Sequence, residues 1–332
     1  MTLLIAGDIG GTNTRLQLFH TTAQGVEPES PPQSYPSQKY GDLVPIVEEF
    51  CASLGKCPQR ACFAIAGPVA NNRCTLTNLH WQLAGDRLAQ DLQLETVTLI
   101  NDFAGIGYGV VGLKPEDLHC LQAGERDPLG PIAVIGAGTG LGEAVVIPQA
   151  NGPYRVFPTE GGHTDFAPRN PMETALLDYF KTEKQLKRVS VERVVSGMGI
   201  VDIYHCLRDR LAIPESPTLA AQRQNPDLDL AALIAQGAAS TEDPLCQATM
   251  NCFVSAYGAE AGNLALKLLP YGGLFIAGGI AAKILPLMEQ GEFMAAYRDK
   301  GRVSPILDRV PIQVVLSGDV GLVGAALCAA QS

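Results

Sequence analysis

Two glycine-rich turns set the strongest constraint on how this chain folds. Ile9-Gly10-Gly11-Thr12 follows the apolar run Leu3–Gly7, and Gly136-Ala137-Gly138-Thr139 follows the apolar run Pro131–Gly136. Each turn leads straight into a second strand-like segment, Thr14–Phe19 in the first case and Ala144–Pro148 in the second. Strand, glycine turn, strand is therefore written twice. A duplicated glycine hairpin suggests two similar lobes with a ligand between them. The 332-residue length agrees, because one ordinary core does not grow that large.

Between the two hairpins, strand and helix patterns alternate. Asp42 reads as the N-cap of a helix through Leu54, with Leu43, Ile46, Val47 and Phe50 on one face. Ala61–Ala66 and Thr96–Ile100 read as apolar strands. Gln33–Gln38 is polar and proline-spaced, which predicts an exposed connection. Leu113–Gly130 is punctuated and is the expected boundary. The stretch from Met172 to Leu269 reads mainly as helix. Strands are expected at Leu274–Ala277 and Ile312–Leu316, and a small-residue helix at Val320–Ala330. The expected fold is α/β, with two lobes and a cleft.

The glycines carry the chemistry. Gly136–Gly142 has four glycines in seven residues, more than a tight hairpin needs. Backbone N–H groups unobstructed by Cβ atoms can converge on an anion there. A dinucleotide fingerprint would need glycine at position 141, where Leu141 stands, and then a helix, where Glu143-Ala-Val-Val reads as strand. No Gly-Lys-Ser/Thr follows, so this is not a P-loop. In Asp8-Ile-Gly-Gly-Thr-Asn-Thr-Arg15 a strand-end carboxylate lies beside a backbone nest and a hydroxyl. Asp8 can orient a Mg²⁺-bound water, or simply cap the turn. Arg15 can reach a phosphate or pair with an acid.

Asn101-Asp102 stands at the end of the run Thr96–Ile100. A carboxylate there can take the proton of an attacking alcohol; it can equally start a helix. Thr159-Glu160-Gly161-Gly162-His163-Thr164 pairs a hydrogen-bond acceptor with an imidazole across two glycines, as polyol recognition requires. A surface turn is the plainer reading, and Glu160 with His163 alone makes a poor zinc site. Val191–Gly197 reads as helix stopped by Gly197, with Glu192 on a solvated face.

Taken together, IxGDIGGTNTR, LINDF, GAGTGLG, PTEGGHTDFAP, ERVVSG and FIAGGI resemble the bacterial-type glucokinase family, distinct from the ROK branch. That family is similar to the wider sugar kinase, actin and heat-shock chaperone ATPase superfamily. The resemblance runs from Leu4 to about Ala325. It implies a two-lobed actin-like (ribonuclease H-like) fold, with residues 1–112 plus 311–332 as the small domain and 113–310 as the large one. It implies ATP-dependent phosphorylation of D-glucose at the 6-hydroxyl, the first step of glycolysis. Asn101, Asp102, Glu160, His163 and Glu192 would bind the sugar, with Asp102 as the base. ATP and Mg²⁺ would be held by Asp8, Gly10, Gly11, Thr12, Asn13, Arg15, Gly138, Thr139, Gly140, Gly278 and Gly279, with the metal reaching Asp8 through water. A homodimer is the family expectation.

The remaining composition narrows the alternatives. A net charge of −10 disfavours nucleic acid and anionic membrane as partners. No apolar stretch reaches the roughly 18 residues of a membrane span, and Met1–Ile5 carries no basic export signal. Nine scattered cysteines without a CxxC pair fit reduced thiols in a cytoplasm and predict no structural zinc. A non-enzymatic sugar sensor would need a DNA-binding extension, and the first strand begins by Leu3. An actin-like ATPase switch would have no use for Glu160, His163 and Glu192. Another hexose remains an alternative to glucose.

Overall fold

The computed structural model describes residues 2–56, 58–149, 152–239 and 243–331. Cys57, one of the nine cysteines, lies outside the described residues. In chain order the elements are β1 (Leu3–Ile9), β2 (Asn13–Thr22), β3 (Gly25–Pro28), β4 (Gln33–Pro36), α1 (Val44–Leu54), β5 (Arg60–Ile65), β6 (Arg73–Leu76), β7 (Trp81–Ala84), α2 (Gly85–Asp91), β8 (Thr96–Asn101) and α3 (Asp102–Val110). They continue with β9 (Leu118–Gln122), β10 (Ile132–Ala137), β11 (Leu141–Ile147), β12 (Arg155–Thr159), α4 (Pro171–Thr182), α5 (Gly197–Arg210), α6 (Pro217–Gln222), α7 (Leu230–Ala239) and α8 (Pro244–Leu268). The last are β13 (Gly273–Ala277), α9 (Leu285–Met288), α10 (Glu292–Arg298), α11 (Ser304–Leu307), β14 (Ile312–Val315) and α12 (Val320–Gln331).

The chain divides into two compact units, 1–118 with 144–158 and 317–332, and 119–143 with 159–316. These bounds differ from the division expected from the sequence. Residues 311–316 go with the second unit because β14 pairs in parallel with β13. Residues 144–158 go with the first because Ala144, Val146 and Val156 pack on Gly107 of α3.

In the first unit the sheet order is β3-β2-β1-β5-β8, with β4 on β2. β1 and β2 form the antiparallel hairpin read from the sequence, while β1, β5 and β8 run parallel. Both faces are covered, so β1 is apolar at nearly every position. Alternation splits it: Ile5 and Ile9 join Ile46, Val47 and Phe50 of α1, whereas Leu4 and Ala6 join Leu322 and Ala326 of α12. The helix expected from Asp42 begins at Val44 with Leu43 at the cap, and the Asp42 carboxylate accepts the Val44 N–H at 3.1 Å. The expected exposed connection at Gln33–Gln38 is instead β4 and a 3₁₀ turn.

The second unit is built on a sheet of order β12-β11-β10-β13-β14-β9. β10, β13 and β14 are parallel, and β11 and β12 each run across the boundary between units. α8 is buried over most of its surface between Leu245 and Ala265, with Asn251 exposed. Its Tyr257 hydroxyl accepts the Ala137 N–H at 3.1 Å, which anchors the end of β10. The helix expected at 191–197 is a 3₁₀ turn, Val191–Arg193. Gly197 opens α5 rather than ending a helix, because the Ser196 side chain caps the Gly199 N–H. Among the described residues no helix is long and apolar enough to cross a membrane.

Candidate active site

Register explains what the first unit gathers. Ile9 pairs with Ile65, and Ile65 pairs with Asn101. Asp8, on β1, and Asp102, just past β8, therefore emerge at the same carboxyl end of parallel strands, where ligands of open α/β sheets bind. One strand lies between them, which places their backbones about 10 Å apart.

The turn after β1 is held from below. Gly10 N–H donates to the Asn13 carbonyl at 2.9 Å. Ser37, fully buried, donates its backbone N–H to Thr12 O and its hydroxyl to Gly10 O. Thr12 and Asn13 stay exposed. Burial raises the pKa of the half-buried Asp8, an effect that Arg15, opposite it in the ladder, partly offsets. Arg15 is itself engaged by the Asp319 carboxylate and by Gly318 O at 3.0 Å, so the acid-pairing reading of this residue is the one observed.

At the end of β8, Asn101 is the N-cap of α3. Its Oδ1 accepts from Phe103 N at 2.9 Å and from Ala104 N at 3.4 Å, and its Nδ2 donates to Gly67 O at 3.2 Å. Asp102 shares the Phe103 N–H with the cap. It occupies the first helical position, half-buried, with Oδ1 also 2.9 Å from Phe103 N. A carboxylate at a helix N-terminus is favoured by the dipole.

The second unit gathers the other residues. Gly136 of β10 pairs with Ala277 of β13, so the Gly138–Gly140 turn and Gly278-Gly279 leave the sheet side by side. Gly278 has φ +85, and a Cβ there would lie 2.5 Å from Ala137 O, so the fold itself demands that glycine. Gly138 and Gly279 are different. A Cβ on either would meet no protein atom within 4 Å, and on Gly11 of the first unit none closer than 3.9 Å. Packing gives no reason for these glycines, and the space beside them leaves their backbone open to close approach. Gly138, Thr139, Gly197, Met198, Gly279 and Lys283 line part of a cavity of about 800 Å³.

Glu160 and His163 stand on an exposed turn, with Nε2 of His163 3.9 Å from the Glu160 carboxylate. Backbone bonds tie that turn to the next one: Val191 N to Thr164 O at 2.9 Å and Phe166 N to Val189 O at 3.0 Å. This brings Glu192 toward them. The Glu192 carboxylate accepts the Leu141 N–H at 3.0 Å, so Glu192 also touches the phosphate-type turn. Three residues went unread in the sequence. Asp319 has no local signal. Ser37 sits in a segment whose composition suggests exposure. Glu143 had a visible signal, a lone carboxylate inside the apolar strand Leu141–Ile147.

The sequence matches the Glucokinase family profile over residues 5–332. The chain belongs to the glucokinase family. The glucokinase of Nostoc sp. (strain PCC 7120) is 52% identical over the whole of both chains. Among solved structures, a glucokinase from an Antarctic psychrotroph is 32% identical, covers both chains fully and superposes with a TM-score of 0.84. A ROK family glucokinase from Streptomyces griseus, solved in complex with glucose and AMPPNP, is 21% identical. It covers 99% of this chain and 100% of its own, with a TM-score of 0.67, a likeness of fold. The α/β architecture is thus that of sugar kinases.

Proposed function

We propose that the chain transfers the γ-phosphoryl group of ATP to the 6-hydroxyl of D-glucose, with Asp102 as the base. Glucose phosphorylation by ATP is the activity of the family to which the chain belongs, and the chain is an enzyme, a glucose kinase. The observation that carries the residue assignment is the strand-end row holding both Asp8 and Asp102, with Asn101 as the N-cap that fixes the start of the helix bearing Asp102.

In this reading Asp102 accepts the 6-hydroxyl proton as the oxygen attacks phosphorus. Asn101 fixes Asp102 through the cap. Glu160, His163 and Glu192 take the remaining sugar hydroxyls, using acceptors and a ring nitrogen. Gly11, Thr12, Asn13, Thr139 and Gly140 offer backbone and hydroxyl donors to the phosphates, while Gly10 and Gly138, whose N–H groups close the turns, let the phosphates approach the backbone. The cavity beside Gly278 and Gly279 takes the adenosine. Arg15 acts at one remove, setting the field at Asp8 while Asp319 holds it.

Asp8 suits a nucleotide-borne Mg²⁺: a half-buried carboxyl whose pKa burial raises, facing a cation that is already engaged. Among the described residues no group of three or more His, Cys, Asp or Glu could cage a metal. The ion would therefore keep waters and phosphate oxygens as ligands, as Mg²⁺ prefers, and would neutralise charge on the transferring group. The higher TM-score with the psychrotroph glucokinase than with the ROK enzyme supports the non-ROK branch. Superfamily membership, a homodimer and a cytoplasmic location complete the reading.

The test is Asp102→Asn. Turnover should fall by about 10²- to 10⁴-fold, while the glucose dissociation constant stays within a few-fold. Near-normal turnover removes Asp102 as the base. ATP consumption that ignores glucose removes the kinase reading altogether.

A further inference from the structure

A carboxylate that the mechanism does not use lies directly beneath the sugar-binding turn. Glu143, on β11, is 3% exposed, and among the described residues its Oε1 has no hydrogen-bond partner. Its other oxygen closes on Gly161: a Cβ at position 161 would sit 1.9 Å from Glu143 Oε2. Glycine next to Glu160 lets this one side chain sit against the turn; any Cβ there would displace the carboxyl or the turn. The backbone is tied at the same place. Thr159 Oγ1 donates to Glu143 O at 3.5 Å and accepts the Gly161 N–H at 3.2 Å, while His163 N donates to Glu160 O at 3.0 Å.

We propose that Glu143 is a positioning residue for glucose: its buried carboxyl, seated on Gly161, holds the Glu160–His163 turn in the arrangement that binds the sugar. The proposal rests on the assignment of Glu160 and His163 to the sugar.

The surroundings say which protonation state does the holding. From α8, Glu260, Lys267 and Tyr257 bear on Glu143; the turn itself carries Glu160 and His163, and the neighbouring 3₁₀ turn carries Glu192. The Glu260 carboxylate is served by Asn263 at 2.9 Å and by the Lys267 ammonium at 3.9 Å. Asn263 in turn accepts from Lys300 at 2.7 Å. This donor chain ends at Glu260 and does not reach Glu143. Burial and the Glu260 charge push the Glu143 pKa up to about 7. A neutral carboxyl packs quietly in that space. An ionised one, buried with its Oε1 unpaired among the described residues, is relieved by lifting the turn and admitting water. Glucose binding and proton binding at Glu143 are thus positively linked.

The experiment is calorimetric titration of the full chain with glucose from pH 6 to 8.5, alongside kcat at saturating glucose and ATP. For the native chain the glucose dissociation constant should rise above about pH 7, at most tenfold per pH unit, with kcat not following that rise. His163 shares this turn with Glu160, so the substitution at Glu143 decides the matter. Glu143→Gln, a neutral isostere, should keep the low-pH affinity and flatten the profile. A Glu143→Gln profile as steep as the native one overturns the proposal, and so does a flat native profile. Gly161→Ala serves as the second variant: it must push the turn off the carboxyl and weaken glucose at every pH, and unchanged affinity also overturns the proposal. If glucose binds at no pH, the kinase reading fails too. If it binds with no pH dependence, only the role of Glu143 fails.

Discussion

Replacing Gly324 with alanine should damage both stability and turnover, through one contact. Gly324 of α12 lies against α3 so closely that a Cβ would stand 1.8 Å from Gly105 O and 2.5 Å from Gly109 N. A carbon tolerates an oxygen no nearer than about 3.3 Å. The helices must therefore part by roughly 1.5 Å, since backbone atoms cannot rotate away as a side chain would. Overpacking of this kind costs about 1–3 kcal/mol, enough to lower the melting temperature by a few degrees. Asp102 begins the same helix, three residues before Gly105. A base displaced by about 1 Å loses about 10²-fold in rate. Thermal melting and a coupled glucose 6-phosphate assay read the two effects. Gly321→Ala is the control on the same helix, where a Cβ would meet nothing within 4 Å. That variant should be neutral or slightly stabilised, as alanine is in helices. If Gly324→Ala melts and turns over like Gly321→Ala, the argument that the α3–α12 contact positions Asp102 is wrong.

Two further outcomes follow from other parts of the molecule. The ordinary Glu143 pKa of 4.5 is raised to about 7, so the folded chain holds a proton that the unfolded chain releases between those values. Stability should therefore fall as pH rises from about 4.5 to about 7 and level off above, by up to about 3 kcal/mol at 1.4 kcal/mol per pH unit. Urea melts across that range should show this slope, and Glu143→Gln should lack it. In the cavity proposed to take adenosine, Ala235→Phe adds a ring to a lining position. It should raise the KM for ATP at least about tenfold, a loss of 1.4 kcal/mol or more, and leave the glucose dissociation constant unchanged. An unaltered KM for ATP would show that the nucleotide lies elsewhere.

Local pattern carried much of the site. The runs read as ending at Gly7, Ile100, Gly136 and Ala277 are strands that end at Ile9, Asn101, Ala137 and Ala277. The same reading failed where one residue type serves two local purposes. Gly197 looked like a helix stop and proved a helix start, because Ser196 before it supplies a cap. Gln33–Gln38 looked exposed by composition, yet Ser37 is buried under the first glycine turn.

By itself the sequence determined the central strands beside the site, which turns are rich enough in glycine to admit a ligand, and where acids meet strand ends. These are properties of neighbours along the chain, within reach of backbone geometry and short-range periodicity. Only the tertiary structure decided that Arg15 is held by Asp319, that Gly105 and Gly324 nearly touch, and that Glu143 lies beneath Gly161 with an Oε1 that has no hydrogen-bond partner among the described residues. Such facts depend on how distant segments cross. The cost of burying a charge, or of adding one carbon, is set by what the crossing brings within a few ångströms.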